Sequence, residues 1–124
     1  MNVLVDTSVW VAHFRHHNST LARLLEADRV LQHPFVRAEL ACGTPPAPRD
    51  ATLAAIALLQ PCQSASLHEV MELVEREKLF GLGCGVIDLS LLASTLITPA
   101  ARLWTLDKRL AALAERFSVG YSPL

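Results

Sequence analysis

Apolar residues fall into two patterns along the chain, short unbroken runs and longer stretches at helical spacing. Val3-Leu4-Val5 has no alternating polar partner, as expected of a strand covered on both faces of a parallel sheet, and it ends on Asp6 followed by Thr7 and Ser8. Arg102-Leu103-Trp104-Thr105-Leu106 predicts a second buried strand, and Arg29-Val30-Leu31-Gln32-His33 a shorter one. Between them, Leu21, Leu24 and Leu25, then Val70, Met71 and Val74, then Leu110, Leu113, Ala114 and Phe117 recur as helical stripes. Val86 to Ile97 is apolar nearly all round, which predicts a helix buried on most sides, with Asp88 as its one charge.

Cap and breaker residues punctuate these elements. Ser8 to His16 predicts a first helix with Thr7 or Ser8 as N-cap and Asn18 near its end, and a second begins at Ser19 or Thr20. Pro34 and Gly43 bracket a third helix that carries Glu39. Thr44-Pro45-Pro46-Ala47-Pro48 reads as a surface loop, and Asp50 as the cap of a helix running to about Leu59. Pro61 starts an irregular or weak strand segment, and Ser66-Leu67-His68-Glu69 has capping-box spacing. Glu72, Glu75 and Glu77 form a solvated face on which Glu72 and Arg76 are spaced to pair. Gly81-Leu82-Gly83-Cys84-Gly85 is a flexible loop before the buried helix, Pro99 ends that helix, Asp107 opens the last one, and Tyr121-Ser122 predicts a final short strand.

Strands alternating with helices imply right-handed crossovers and a parallel sheet whose carboxyl edge is shared with helix amino ends. A chain of 124 residues, 52% hydrophobic and 19% charged, suits one folded domain spanning 1–124. The net charge of -1 leaves nucleic-acid binding to local clusters, and Arg supplies nine of the eleven basic residues. Cys42, Cys62 and Cys84 are odd in number and lack C-x-x-C spacing, which excludes a disulfide framework or zinc ribbon and points to a reducing cytoplasm. With no basic region before the first apolar run and every long apolar stretch broken by a charge, neither secretion nor a membrane anchor is expected.

The topology brings four acids to one edge: Asp6 after the first strand, Asp107 after the Trp104 strand, Asp88 in the first turn of the buried helix, and Glu39 a turn into its own. Taken singly, Asp107 reads as a cap and Glu39 as a surface glutamate, and Thr7 and Ser8 are caps first. Asp6 and Asp88 resist such readings, because each interrupts an apolar segment with no basic neighbour in sequence. Carboxylates around one crevice repel each other unless a cation relieves them. An all-oxygen set without His or Cys suits Mg²⁺ or Mn²⁺, and hence metal-assisted phosphodiester hydrolysis.

Val5-Asp6-Thr7-Ser8-Val9-Trp10, Ala38-Glu39-Leu40, Gly83 to Asp88 before a small-residue helix, and Trp104-Thr105-Leu106-Asp107 together resemble the PIN-domain ribonucleases, specifically the VapC-like toxins of toxin–antitoxin pairs. The resemblance implies a three-layer α/β/α fold, a central mostly parallel sheet with helices on both faces, and Mg²⁺-dependent RNA cleavage. It also implies a homodimer and inhibition by a small antitoxin protein. It matches Asp6, Glu39, Asp88 and Asp107 to the family's acidic metal-binding positions and Thr7 or Ser8 to the polar position near the first acid. The expected catalytic set is these four acids, with Asp6, Asp88 and Asp107 holding metal, Glu39 completing the shell or assisting the attacking water, and Thr7, Ser8 and Thr105 as supporting polar residues. Two departures stand out. His33-Pro34 replaces the hydroxyl-rich segment that often precedes the family's Glu, and the Gly81 to Gly85 loop is unusually rich in glycine.

His13, His16 and His17 include an i, i+4 pair, but no Glu completes a zinc motif. With Arg15 they form a basic lip, and Arg102, Lys108 and Arg109 flank Asp107; for both clusters an RNA contact and a plain solvated face remain open, with His13, Arg15, Lys108 and Arg109 the RNA-contact candidates. Trp10 and Trp104 read as core or interface anchors. Leucines of the early helices are candidates for a dimer or antitoxin surface. Two rival readings accompany the nuclease: a noncatalytic receiver-like module whose strand-end Asp accepts phosphate, and a PIN-like RNA-processing nuclease without a toxin role.

Overall fold

The computed structural model describes residues 1–123. Four strands, β1 (Asn2–Val5), β2 (Val30–Gln32), β3 (Gln60–Pro61) and β4 (Ala101–Trp104), form one parallel sheet in the order β3-β2-β1-β4. Seven helices surround it: α1 (Thr7–Arg15), α2 (Ser19–Glu26), α3 (Pro34–Cys42), α4 (Arg49–Ala57), α5 (Leu67–Glu77), α6 (Val86–Ile97) and α7 (Lys108–Arg116). This is the expected three-layer arrangement. α1 packs on α3 and α3 on α4, whereas α5, α6 and α7 pack in turn, with α6 and α7 lying on β4.

β1 is central because all three residues of its apolar run are sealed from solvent, with Val3, Leu4 and Val5 at 0% exposure. Its register sets Val3 against Val30 on one side and Arg102 on the other, so the two flanking strands end level with Asp6. The buried helix runs over the expected residues, and its interior includes Ser90, Ser94 and Thr95 as well as Leu91 and Leu92. Thr95 satisfies its hydroxyl within the helix by donating to the Leu91 carbonyl at 2.8 Å.

The differences from the sequence reading are local. Asn18 caps α2, accepting from the Leu21 amide at 3.0 Å, rather than closing α1. Asp50 sits in the first turn of α4 behind Pro48 at the N-cap, a placement the helix dipole favours without a side-chain cap. Glu72 pairs with His68 and Arg76 with Glu77, so the Glu72–Arg76 pair does not form. The last strand shrinks to one parallel bridge between Leu103 and Gly120. Tyr121 donates to the Leu103 carbonyl at 2.9 Å, and the next donor in that ladder falls on Pro123, which has no N–H. Leu21 and Leu24 are core, so the early helices offer no leucine face; the exposed apolar residues include Leu58, Leu67, Met71, Phe80 and Leu106.

His33 replaces a hydroxyl as the cap of α3. Its Nδ1 accepts from the Phe35 amide at 3.0 Å, which leaves the proton on Nε2 to donate to Ser94 Oγ at 3.0 Å. That hydroxyl oxygen also accepts from the Ala65 amide at 2.9 Å. With both nitrogens committed and the ring 2% exposed, the charged form is disfavoured. Burial, seconded by Arg37, pushes the imidazole down to about 4.

A group protonated more readily in the unfolded chain makes stability fall as pH drops through the window between the two pKa values. The domain should therefore lose on the order of 2–3 kcal/mol through His33 between about pH 6.5 and pH 4. Urea unfolding across that window should show a shallower pH dependence in His33→Asn, which keeps a capping acceptor. An identical slope in the variant would refute the assignment.

Candidate active site

The carboxyl edge of the sheet gathers the candidate acids. β1 delivers Asp6, which takes the N-cap position of α1 without using its side chain as a cap. Its carbonyl accepts from the Val9 and Trp10 amides instead, leaving the carboxylate at the positive end of the helix. Asp6 is nonetheless 6% exposed. A carboxylate so placed needs partners.

Those partners are hydroxyls. Ser8 Oγ donates to Asp6 Oδ2 at 2.7 Å and Thr105 Oγ1 to the same oxygen at 2.8 Å. The donors are themselves held, because Ser8 Oγ accepts from the Leu106 amide and Thr105 Oγ1 from the Asp107 amide, each at 3.0 Å. Thr7 Oγ1 donates to Glu39 Oε1 at 2.6 Å, tying α1 to α3. Thr7 and Ser8 are therefore not helix caps: both lie inside α1, and their side chains turn to the acids. Asp107 does cap α7, its Oδ1 accepting from the Leu110 amide at 2.9 Å.

One oxygen of Asp6, Glu39 and Asp107 is thus engaged, while Oδ1, Oε2 and Oδ2 respectively have no protein donor among the described residues. Asp88, half-buried in the first turn of α6, has its pKa raised by burial first, then by the charges of Asp6, Asp107 and, more weakly, Glu39, against the Gly85 amide. All four acids therefore share one field. No three His, Cys, Asp or Glu side chains among the described residues form a closed ligating cluster. Carboxylates that repel one another stand apart in this way, and a hard cation that keeps several waters needs only one or two of them directly. The free oxygens and the absence of nitrogen or sulfur donors among the four acids fit a hydrated divalent ion.

The basic candidates divide. Arg15 joins Glu39, Phe14, Thr44, Pro45 and Pro46 around a cleft of about 300 Å³, so the Pro-rich loop walls a cleft beside Glu39 as well as being a surface segment. His13 faces elsewhere, into a groove with Trp10, Leu25 and Ile56. Its Nδ1 accepts from the Asn18 amide at 2.9 Å, and burial with the neighbouring His17 lowers its pKa, so His13 adds no positive charge to a lip at neutral pH. Lys108 and Arg109 lie exposed in the first turn of α7. Trp10 and Trp104 are core anchors, packed against Phe14 and Tyr121 respectively. Cys84, which the sequence offered only as a loop cysteine, lies a turn before Asp88, and burial, then Asp88 and Asp107, push its thiol up against the opposing effect of Arg109.

A family model described as the PIN domain matches residues 3–116. A protein named Ribonuclease VapC32, from two strains of Mycobacterium tuberculosis, is 45% identical over 114 residues, which cover 91% of this chain and 91% of the relative.

Asp88 holds its proton more tightly folded than unfolded, so ionising it lowers stability as pH rises above its ordinary value of 3.8. Asp88→Asn should raise the Tm of the metal-free protein at neutral pH, with the gain shrinking toward zero below about pH 4. Added Mg²⁺ should raise the wild-type Tm by more than that of the variant. A lower Tm for Asp88→Asn at every pH would contradict the shared field.

Proposed function

The chain belongs to the PIN-domain family, and on that premise we propose that it is an endoribonuclease that hydrolyses RNA phosphodiester bonds with a divalent metal, Mg²⁺ or alternatively Mn²⁺. In this reading it is the toxin of a toxin–antitoxin pair, restrained by a small antitoxin protein. The observation that carries it is the convergence of Asp6, Glu39, Asp88 and Asp107 at one sheet edge, with one oxygen on each of three of them free of protein donors among the described residues.

Asp6, Asp88 and Asp107 would hold the metal, which supplies Lewis-acid polarisation of the phosphate and eases ionisation of water. Ser8 and Thr105 fix Asp6 Oδ2 and so aim Oδ1 into the crevice. Thr7 does the same for Glu39, whose free Oε2 orients the attacking water and takes its proton. Glu39 also borders the cleft that Arg15 lines, a path for the RNA strand. A phosphate-accepting module is disfavoured because Asp6 is buried and already bonded by two hydroxyls, a poor posture for a nucleophile that must meet a phosphodonor. An RNA-processing role without a toxin function uses the same site and differs only in its partner.

The family model spans nearly the whole chain, supporting a single domain over 1–124. Among the described residues no helix is long and apolar enough to cross a membrane, and all three cysteines are free, which suits the reducing cytoplasm. A homodimer belongs to the same proposal.

The test is cleavage of a labelled RNA pool with Mg²⁺, Mn²⁺ or EDTA. Asp6→Asn, purified identically, should lose roughly 10²-fold or more of the activity, the scale of losing one transition-state stabiliser. Metal-independent cleavage, or equal activity in the variant, would overturn the proposal. Asp107 separates charge from capping: Asp107→Asn keeps the cap and should be inactive at near-native stability, whereas Asp107→Ala should also cost about 1 kcal/mol. Guanidinium unfolding of the two variants reads that difference.

A further inference from the structure

The end of the glycine-rich loop touches Asp88 through the Gly85 amide, but Gly81 and Gly83 have no part in the carboxylate site as described. Gly81 and Gly83 take positive φ, +71° and +86°. A Cβ on Gly81 would meet nothing, whereas one on Gly83 would lie 2.7 Å from Cδ and Nη1 of Arg109 and 2.9 Å from its Cζ. The loop backbone therefore lies directly against the outer half of the Arg109 side chain; a Cβ there would push that side chain aside, and the φ of +86° itself favours glycine.

Arg109 is itself out of keeping with its position. With Lys108 it places two cations in the first turn of α7, which contains no acid, although the positive end of a helix favours carboxylates. No carboxylate among the described residues forms an ion pair with it. Its charge reaches the Cys84 thiol, which also feels Asp88 and Asp107, so the guanidinium stands on the same rim as two of the acids without neutralising either. A cation that opposes its helix, rests against a positive-φ glycine loop and has no ion-pair partner points to a ligand rather than to stability.

We propose that Arg109, confined by the Gly83 backbone, grips a phosphate of the RNA strand beside the one at the acids. The proposal rests on the nuclease reading and adds a binding residue to it. A guanidinium offers planar paired donors that match two phosphate oxygens, and a strand entering the crevice carries its neighbouring phosphates to that rim. The α7 dipole, adverse to Arg109 alone, assists the bound anion.

The experiment is anisotropy titration of a short labelled single-stranded RNA across a salt series, with Ca²⁺ present, beside cleavage assays with Mg²⁺. Arg109→Gln should weaken binding about tenfold and flatten the slope of log K against log salt by about 0.7, one phosphate on a single strand. Arg109→Lys should keep the slope and recover part of the affinity. Gly83→Ala should mimic Arg109→Gln and add nothing in the double variant. Because Arg109 is exposed, its variants test the proposal even where Gly83→Ala fails to fold. Arg109→Gln should also leave the Tm equal or higher, where a merely structural role would lower it. An unchanged affinity and slope, or no RNA binding by the wild type, overturns the proposal. Binding that depends on Arg109 without metal-dependent cleavage would instead count against the nuclease reading alone.

Discussion

A carboxylate buried at the end of the central strand is the constraint around which this fold is arranged. Asp6 has no basic side chain beside it; two hydroxyls meet one of its oxygens, and each hydroxyl is aimed by a backbone amide from the β4–α7 connection. The strand end, the first turn of α1 and the segment leaving β4 are therefore one unit. Exchanging any of these hydroxyls for an alkyl group strands a partner in the interior, where an unmet polar group costs about 1–3 kcal/mol. The other three acids stand in the field of this unit, and their repulsion is an electrostatic load that the apo fold carries. Mutually repelling carboxylates, each of three keeping one oxygen without a protein donor among the described residues, mark this edge as the candidate site rather than an ordinary polar patch.

Much of this was legible in the residues. The all-apolar stretch from Val86 to Ile97 gave its helix to the residue, because length, burial and Pro99 agree. Val3 to Val5 announced a central strand by lacking any polar alternation. The four acids could be placed at one edge because parallel topology leaves no other arrangement for strand ends and helix starts. The misplaced features depend on contacts that no local pattern encodes. Thr7 and Ser8 have every attribute of caps, and only the nearness of Glu39, 32 residues on, and Thr105, 97 on, redirects their side chains. Asp50 likewise carries a good cap signal, but Pro48 already occupies that corner and leaves it two residues on, inside the first turn.

His33 shows a related substitution of chemistry. Imidazole can imitate a serine cap only if one nitrogen is bare and the other is occupied, and Ser94 on the buried helix supplies that second partner. The result ties β2, α3 and α6 through one ring. Burial and these two bonds keep the ring neutral down to about pH 4, and α3 consequently presents Glu39 from a start that is fixed inside the core.

The pairing of Asp6 with Thr105 spans 99 residues of sequence, and that of Ser8 with Leu106 spans 98. β4, which positions them, joins the sheet only through β1 and the Gly120 bridge. A chain made from its amino end therefore exposes Asp6 long before the Thr105 hydroxyl is present to hold it. Until Thr105 arrives, Asp6 lacks one of the two donors that make its burial tolerable, so closing the sheet and completing the carboxylate cluster are one event.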